Sequence, residues 1–156
     1  MPSLLLKISP PQTLQRHQDL ARAMTSLTAL HLEKRAEVTA VMVDNIPAVQ
    51  WFVGGQAVTR PTAFLEISVT QGTNTHGQKA AFIEAAYAEL QRQLGDAAQG
   101  ADAQPLELAS YVIVRELPAT DWGYGGQTQR ARRVSAKVIE RGPAVGDVAA
   151  TGVHQP

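Results

Sequence analysis

Val114-Arg115-Glu116-Leu117-Pro118-Ala119-Thr120-Asp121-Trp122-Gly123-Tyr124-Gly125-Gly126-Gln127 aligns without a gap on Val43-Asp44-Asn45-Ile46-Pro47-Ala48-Val49-Gln50-Trp51-Phe52-Val53-Gly54-Gly55-Gln56. Val, Pro, Ala, Trp, both Gly and Gln recur in register, and the two tryptophans of the chain fall on equivalent positions. An internal repeat organises every later topology decision. The glycine pair after each tryptophan supplies the tight turn of a short hairpin or edge ribbon.

Working outward, each motif closes a similar unit, the first spanning about 2–60 and the second 61–128. In the first, Leu4, Leu6 and Ile8 alternate with Ser3, Leu5 and Lys7, a strand pattern that Pro10-Pro11 ends because proline cannot donate to a ladder. Thr13 is placed to cap a helix whose apolar stripe is Leu20, Met24, Leu27 and His31 through about residue 32, and 38–44 reads as the next strand. In the second, Leu65, Ile67 and Val69 alternate with Glu66, Ser68 and Thr70 before Gly72 turns the chain. Asn74 is placed to cap a helix with the stripe Ile83, Ala86, Tyr87, Leu90 and Leu94, which Gly95 terminates. Residues 95–104 read as a loop insertion and 111–116 as the fourth strand.

Strand, crossover helix, strand, twice over, makes an α/β (α+β) fold. Its tandem β-α-β units form a four-stranded mixed sheet with two helices on one face. Each helix has a single apolar stripe, so the opposite sheet face must be covered by something else, and a homo-oligomer is expected. Residues 1–128 are expected to be one domain. The rest, 129–156, is a basic tail carrying Arg130, Arg132, Arg133, Lys137 and Arg141, read as a solvated or subunit-wrapping segment whose last dozen residues are poorly ordered.

The 156 residues are 44% hydrophobic, 18% charged and 5% aromatic, which suits a compact globular unit. Fourteen basic residues balance fourteen acidic ones, so no global field draws in nucleic acid or an anionic membrane. Cysteine is absent, removing disulfides, thiolate nucleophiles and cysteine-type zinc sites. No apolar run approaches the roughly 20 residues of a membrane helix, and the opening residues lack the basic flank of a secretory signal; a cytoplasmic protein is expected. His17, His31, His76 and His154 share no metal-ligand spacing, and no phosphate loop or nucleophile elbow occurs. Neither a metal nor a cofactor is expected.

With this plan, Pro2 directly after Met1, and a Trp-Gly-x-Gly-Gly motif at 122–126, the chain resembles the tautomerase superfamily. It is similar to fused, two-unit members of the 4-oxalocrotonate tautomerase group, related to cis-3-chloroacrylic acid dehalogenase. The resemblance covers about residues 2–128 and implies a trimer. It also implies that Pro2, exposed by removal of Met1, is a general base acting as a neutral secondary amine. A free α-amine titrates near ~8, so the site must lower that value by apolar surroundings or a neighbouring cation. Leu4 and Leu6 are available for the first, and Arg60, Arg115 or Lys7 for the second.

The family's paired substrate arginines fall here on Gln12 and Ala40, and in the second unit on Thr73 and Tyr111. Neither glutamine nor threonine replaces a guanidinium fork, which counts against a dicarboxylate substrate. The dehalogenase pattern also fails: its arginines fall on Thr70 and Thr73, and its helical histidine nearest Thr28. The candidate substrate-binding residues are Arg115, Arg60, Trp51, Trp122 and Tyr111, with Pro2 as the catalyst. The resulting expectation is a cofactor-independent keto–enol tautomerase of a 2-hydroxydienoate or enol-pyruvate-like acid. The alternatives are a decarboxylase or hydratase of a three-carbon acid, and a trimeric binding protein with a vestigial proline site.

Overall fold

The computed structural model describes residues 1–96 and 103–141. It divides after Pro118 into two compact units. The first contains β1 (Ser3–Ser9), α1 (Leu14–Leu32), β2 (Ala40–Asn45), the ribbon β3 (Phe52–Val53) and β4 (Gln56–Ala57), β5 (Thr62–Thr70), α2 (His76–Leu90) and β6 (Tyr111–Leu117). The second contains the ribbon β7 (Gly123–Tyr124) and β8 (Gln127–Thr128), then α3 (Gln129–Arg141).

In the first unit the sheet runs β2-β1-β5-β6. β1 pairs with β2, and β5 with β6, in parallel, as a helical crossover demands. The two β-α-β units meet through antiparallel β1 and β5, from Ser3 opposite Ser68 to Ser9 opposite Thr62. The sheet is therefore mixed, as the repeat implied. Alternation does the rest: Leu4, Leu6, Ile8, Leu65, Ile67 and Val69 point into one core with Leu20, Met24, Leu32, Phe82, Ala86 and Leu90 from the helices. Both helices thus cover one face. On the other face Leu5, Met42, Phe64, Glu66, Ile113 and Tyr111 are half-buried or exposed.

Several local details differ from the sequence reading, each for a physical reason. The buried row of α1 is Leu20, Met24, Thr28 and Leu32, a step of four throughout; Leu27 and His31 are only half-buried beside it. Thr28 tolerates the core because its hydroxyl donates to Met24 O at 2.7 Å. Thr13 caps α1 as expected, accepting from Arg16 N at 3.2 Å. β2 begins at Ala40 rather than 38 because Ala36–Val38 close a 3₁₀ turn, with Thr39 N donating to Ala36 O.

The cap of α2 is Thr75, not Asn74. Asn74 is engaged elsewhere, its Nδ2 donating at 2.9 Å to the Leu32 carbonyl in the last turn of α1. Thr75 accepts from Gln78 N, and Gln78 Oε1 accepts from Thr75 N at 2.9 Å, a complete capping box. The buried row of α2 is Phe82, Ala86 and Leu90, which turns Ile83 outward to 38% exposure. α2 ends at Leu90, and Gln91–Asp96 continue as a wider π-helical turn instead of running regularly to Gly95.

Both hairpins form where the glycine pairs required them. Gly54 and Gly55 have φ of 58° and 78°, and Gly125 and Gly126 have 57° and 74°, a turn with two left-handed residues. The basic segment, which composition alone did not mark as helical, forms α3. The expectations for 97–102 and for the last dozen residues lie outside the described residues. Thr75→Ala is expected to cost about 1 kcal/mol in urea unfolding, and an unchanged midpoint would show that the cap is not stabilising.

Candidate active site

The first unit has two chemically different ends, set by the direction of β1. At the start of β1, Pro2 is buried, and its carbonyl accepts from Ala40 N at 3.2 Å. Its even position puts it on the helix-covered side with Leu4 and Leu6, both fully buried. Antiparallel pairing brings the end of β5 and the loop 71–74 to this same end.

That loop is tied down by two lysines. Lys34 follows Glu33, whose left-handed φ of 54° terminates α1. Its Nζ donates at 3.0 Å to Thr73 Oγ1, which in turn donates to Thr70 O at 2.6 Å. Lys79 Nζ reaches Glu116 Oε2 at 3.1 Å, and Glu116 Oε1 accepts from Gly72 N at 3.3 Å. The Lys79 ammonium, with help from the Gly72 N–H, holds the Glu116 carboxyl below its ordinary range. Neither lysine was singled out from sequence. Their partners lie 39 and 37 residues away, and no local pattern encodes such distances.

The residues nominated from sequence do not converge within this unit. Arg115 projects from the open sheet face, with Tyr111 and Ile113 on its side, and donates to Glu66 Oε2 at 2.9 Å while remaining largely exposed. Trp51, Tyr111 and Arg60 belong to the opposite end of β1. Trp51 lines a pocket of about 360 Å³ with Lys7, Ile46, Gln50, Phe52 and Phe64. Lys7 is five residues along the strand from Pro2, about 16 Å at the usual strand rise. Tyr111 sits opposite Phe64 in the ladder. Arg60 is exposed on the connector, beside a groove lined by Pro10, Ala48, Pro61 and Gln104.

In the second unit Trp122 is half-buried and its Nε1 meets no acceptor among the described residues. Arg132 stacks 3.7 Å from the centre of the Tyr124 ring and donates to Tyr124 O at 2.8 Å, so α3 is fastened to its own ribbon.

Solved structures share this architecture. An asymmetric-trimer fused 4-OT, F6, is 25% identical, with a TM-score of 0.63 over 83% of this chain and 98% of its own. The symmetric-trimer fused 4-OT Q0 gives 21% identity and a TM-score of 0.67 over the same shares. The chain has a fused 4-OT fold. Pt0534, solved after inactivation by 2-oxo-3-pentynoate, is 16% identical with a TM-score of 0.64 over 83% of this chain and 98% of its own. No family model matches the chain, and no curated protein matches it. No helix among the described residues is long and apolar enough to cross a membrane.

The Lys79–Glu116 pair fixes the sign of a pH effect. Because the folded carboxyl titrates below its unfolded value, the pair stabilises at neutral pH and is lost as pH falls through the lowered folded value. Urea unfolding is expected to show Glu116→Gln weaker than wild type by about 0.5–1 kcal/mol at neutral pH, with the difference shrinking as pH falls through the lowered folded value. A difference that persists in acid would mean that packing, not charge, is responsible.

Proposed function

We propose that this protein is a cofactor-independent keto–enol tautomerase in which Pro2, made N-terminal by removal of Met1, is the general base. The observation that carries the reading is Pro2 buried at the head of a central strand of a fused 4-OT fold. In this reading residues 1–128 act as one tautomerase-like domain in the cytoplasm.

The chemistry follows from the surroundings. A neutral proline nitrogen takes the enol hydroxyl proton of a 2-hydroxydienoate or enol-pyruvate-like acid. The same proton is then returned to the carbon that becomes sp³, so base and acid alternate on one atom. Burial beside Leu4 and Leu6 disfavours the ammonium form. The Lys34 ammonium, held on Thr73 at the same end of the sheet, acts in the same direction.

The half-open face of the sheet, with Met42 53% and Tyr111 57% exposed, supports a homo-trimer like those of the solved fused 4-OT structures. The alternative of a binding protein with a vestigial proline site draws on the family arginine positions, which are occupied here by Gln12, Ala40, Thr73 and Tyr111.

Ketonisation of phenylenolpyruvate and 2-hydroxymuconate, followed by ultraviolet absorbance on protein of verified Met1-free mass, tests the proposal. Pro2→Ala is expected to lose at least about 10²-fold in rate, with phenylenolpyruvate the better substrate. Equal rates for wild type and Pro2→Ala would overturn it.

A further inference from the structure

The even balance of charge over the whole chain conceals a local excess. Five of the fourteen cations lie in α3, against one of the fourteen acids. Arg130, Arg133, Lys137 and Arg141 recur there at steps of three and four, which on a helix makes one row. Ala131, Val134 and Val138 recur at the same steps one position later, so an apolar row lies about 100° around the helix from the cationic one.

Both rows face solvent where their side chains are described. Arg130, Arg133 and Lys137 are exposed and make no ion pair or side-chain hydrogen bond among the described residues. Ala131 is exposed, and Val134 is 57% exposed. The fifth cation, Arg132, is spent on the Tyr124 ring and carbonyl. Gln129 N donates to Trp122 O at 3.0 Å and Arg130 N to Ala119 O at 2.9 Å, so the first turn of α3 is anchored on its own ribbon. Like charges at steps of three and four destabilise a helix, and an anionic partner removes that penalty.

The apolar row decides which anion fits. A nucleic-acid backbone or free phosphate uses the cations and leaves Val134 in water. A protein groove takes large apolar anchors, whereas this row offers alanine and valine. A lipid surface uses both rows at once: headgroup charge meets the cations, and the acyl boundary takes the valine and the aliphatic stems of arginine and lysine. The cation count also agrees, since about four to eight on an amphipathic helix suffice for anionic lipid.

We propose that α3 docks this protein peripherally on anionic lipid surfaces, with Arg130, Arg133 and Lys137 on headgroup phosphates and Val134 at the acyl boundary. The docking does not involve Pro2 and is independent of whether Pro2 is catalytic.

Flotation of the full-length protein with vesicles of phosphatidylcholine, alone or mixed with phosphatidylglycerol, tests this. The protein is expected to float with the anionic vesicles only, and less as salt is raised. Arg130→Gln, Arg133→Gln and Lys137→Gln combined are expected to weaken partitioning by at least about tenfold. Val134→Ser is expected to weaken it too, while leaving any binding to a duplex DNA oligonucleotide unchanged. If the triple variant fails to fold, the preference of the unmodified protein for anionic over neutral vesicles and the effect of Val134→Ser still decide. Equal partitioning onto both vesicles, none onto either, full binding by the triple variant, vesicle binding indifferent to Val134→Ser, or tighter binding to the oligonucleotide than to the vesicles would overturn the proposal.

Discussion

The antiparallel pairing of β1 with β5, Ser3 opposite Ser68 through Ser9 opposite Thr62, is the constraint on which the first unit depends. Each repeat alone is a parallel pair with one helix, too small to close a core. Joining them head to tail through their first strands merges two apolar faces into one and puts α1 and α2 side by side over it. The same pairing brings the head of β1 to the foot of β5. The head of β1 and the loop 71–74 of the other repeat therefore lie at the same end of the sheet.

Two contacts between the helix ends exploit that meeting. Asn74 closes the last turn of α1 by donating to Leu32 O, and Lys34, one residue past the left-handed Glu33, reaches Thr73. The end of one helix and the start of the next thus stabilise each other, and a charge is delivered to the proline end as a by-product of helix termination. At the opposite end of β1 the same strand presents Lys7 to aromatic side chains. The two ends of β1 therefore differ in character: a buried proline at its head and an aromatic pocket with a lysine near its foot.

Most of the architecture was legible in the sequence because it rests on local periodicity and on a repeat. Alternation along 3–8 and 65–70, the Thr13 cap and the glycine pairs each encode their structure within a few residues. Misplaced details were those where a tertiary partner overrode a local preference. Asn74 is as good a cap as Thr75 by type, but the Leu32 carbonyl claims it. Ile83 is as apolar as Phe82, yet only one of them can lie on the line to Ala86 and Leu90. The candidate site was less legible for the same reason. Pro2 was marked by position, whereas Lys34 and Lys79 act through Thr73 and Glu116, residues whose proximity only the folded sheet creates.

The account stands on Pro2 being a neutral amine at working pH. Its most direct test is titration of the Pro2 nitrogen by ¹⁵N NMR in the Met1-free protein. The account predicts a pKa clearly below the ~8 of an ordinary chain-terminal amine, moving upward in Lys34→Gln as the neighbouring positive charge is removed. A value at or above ~8, unmoved by that substitution, would contradict it.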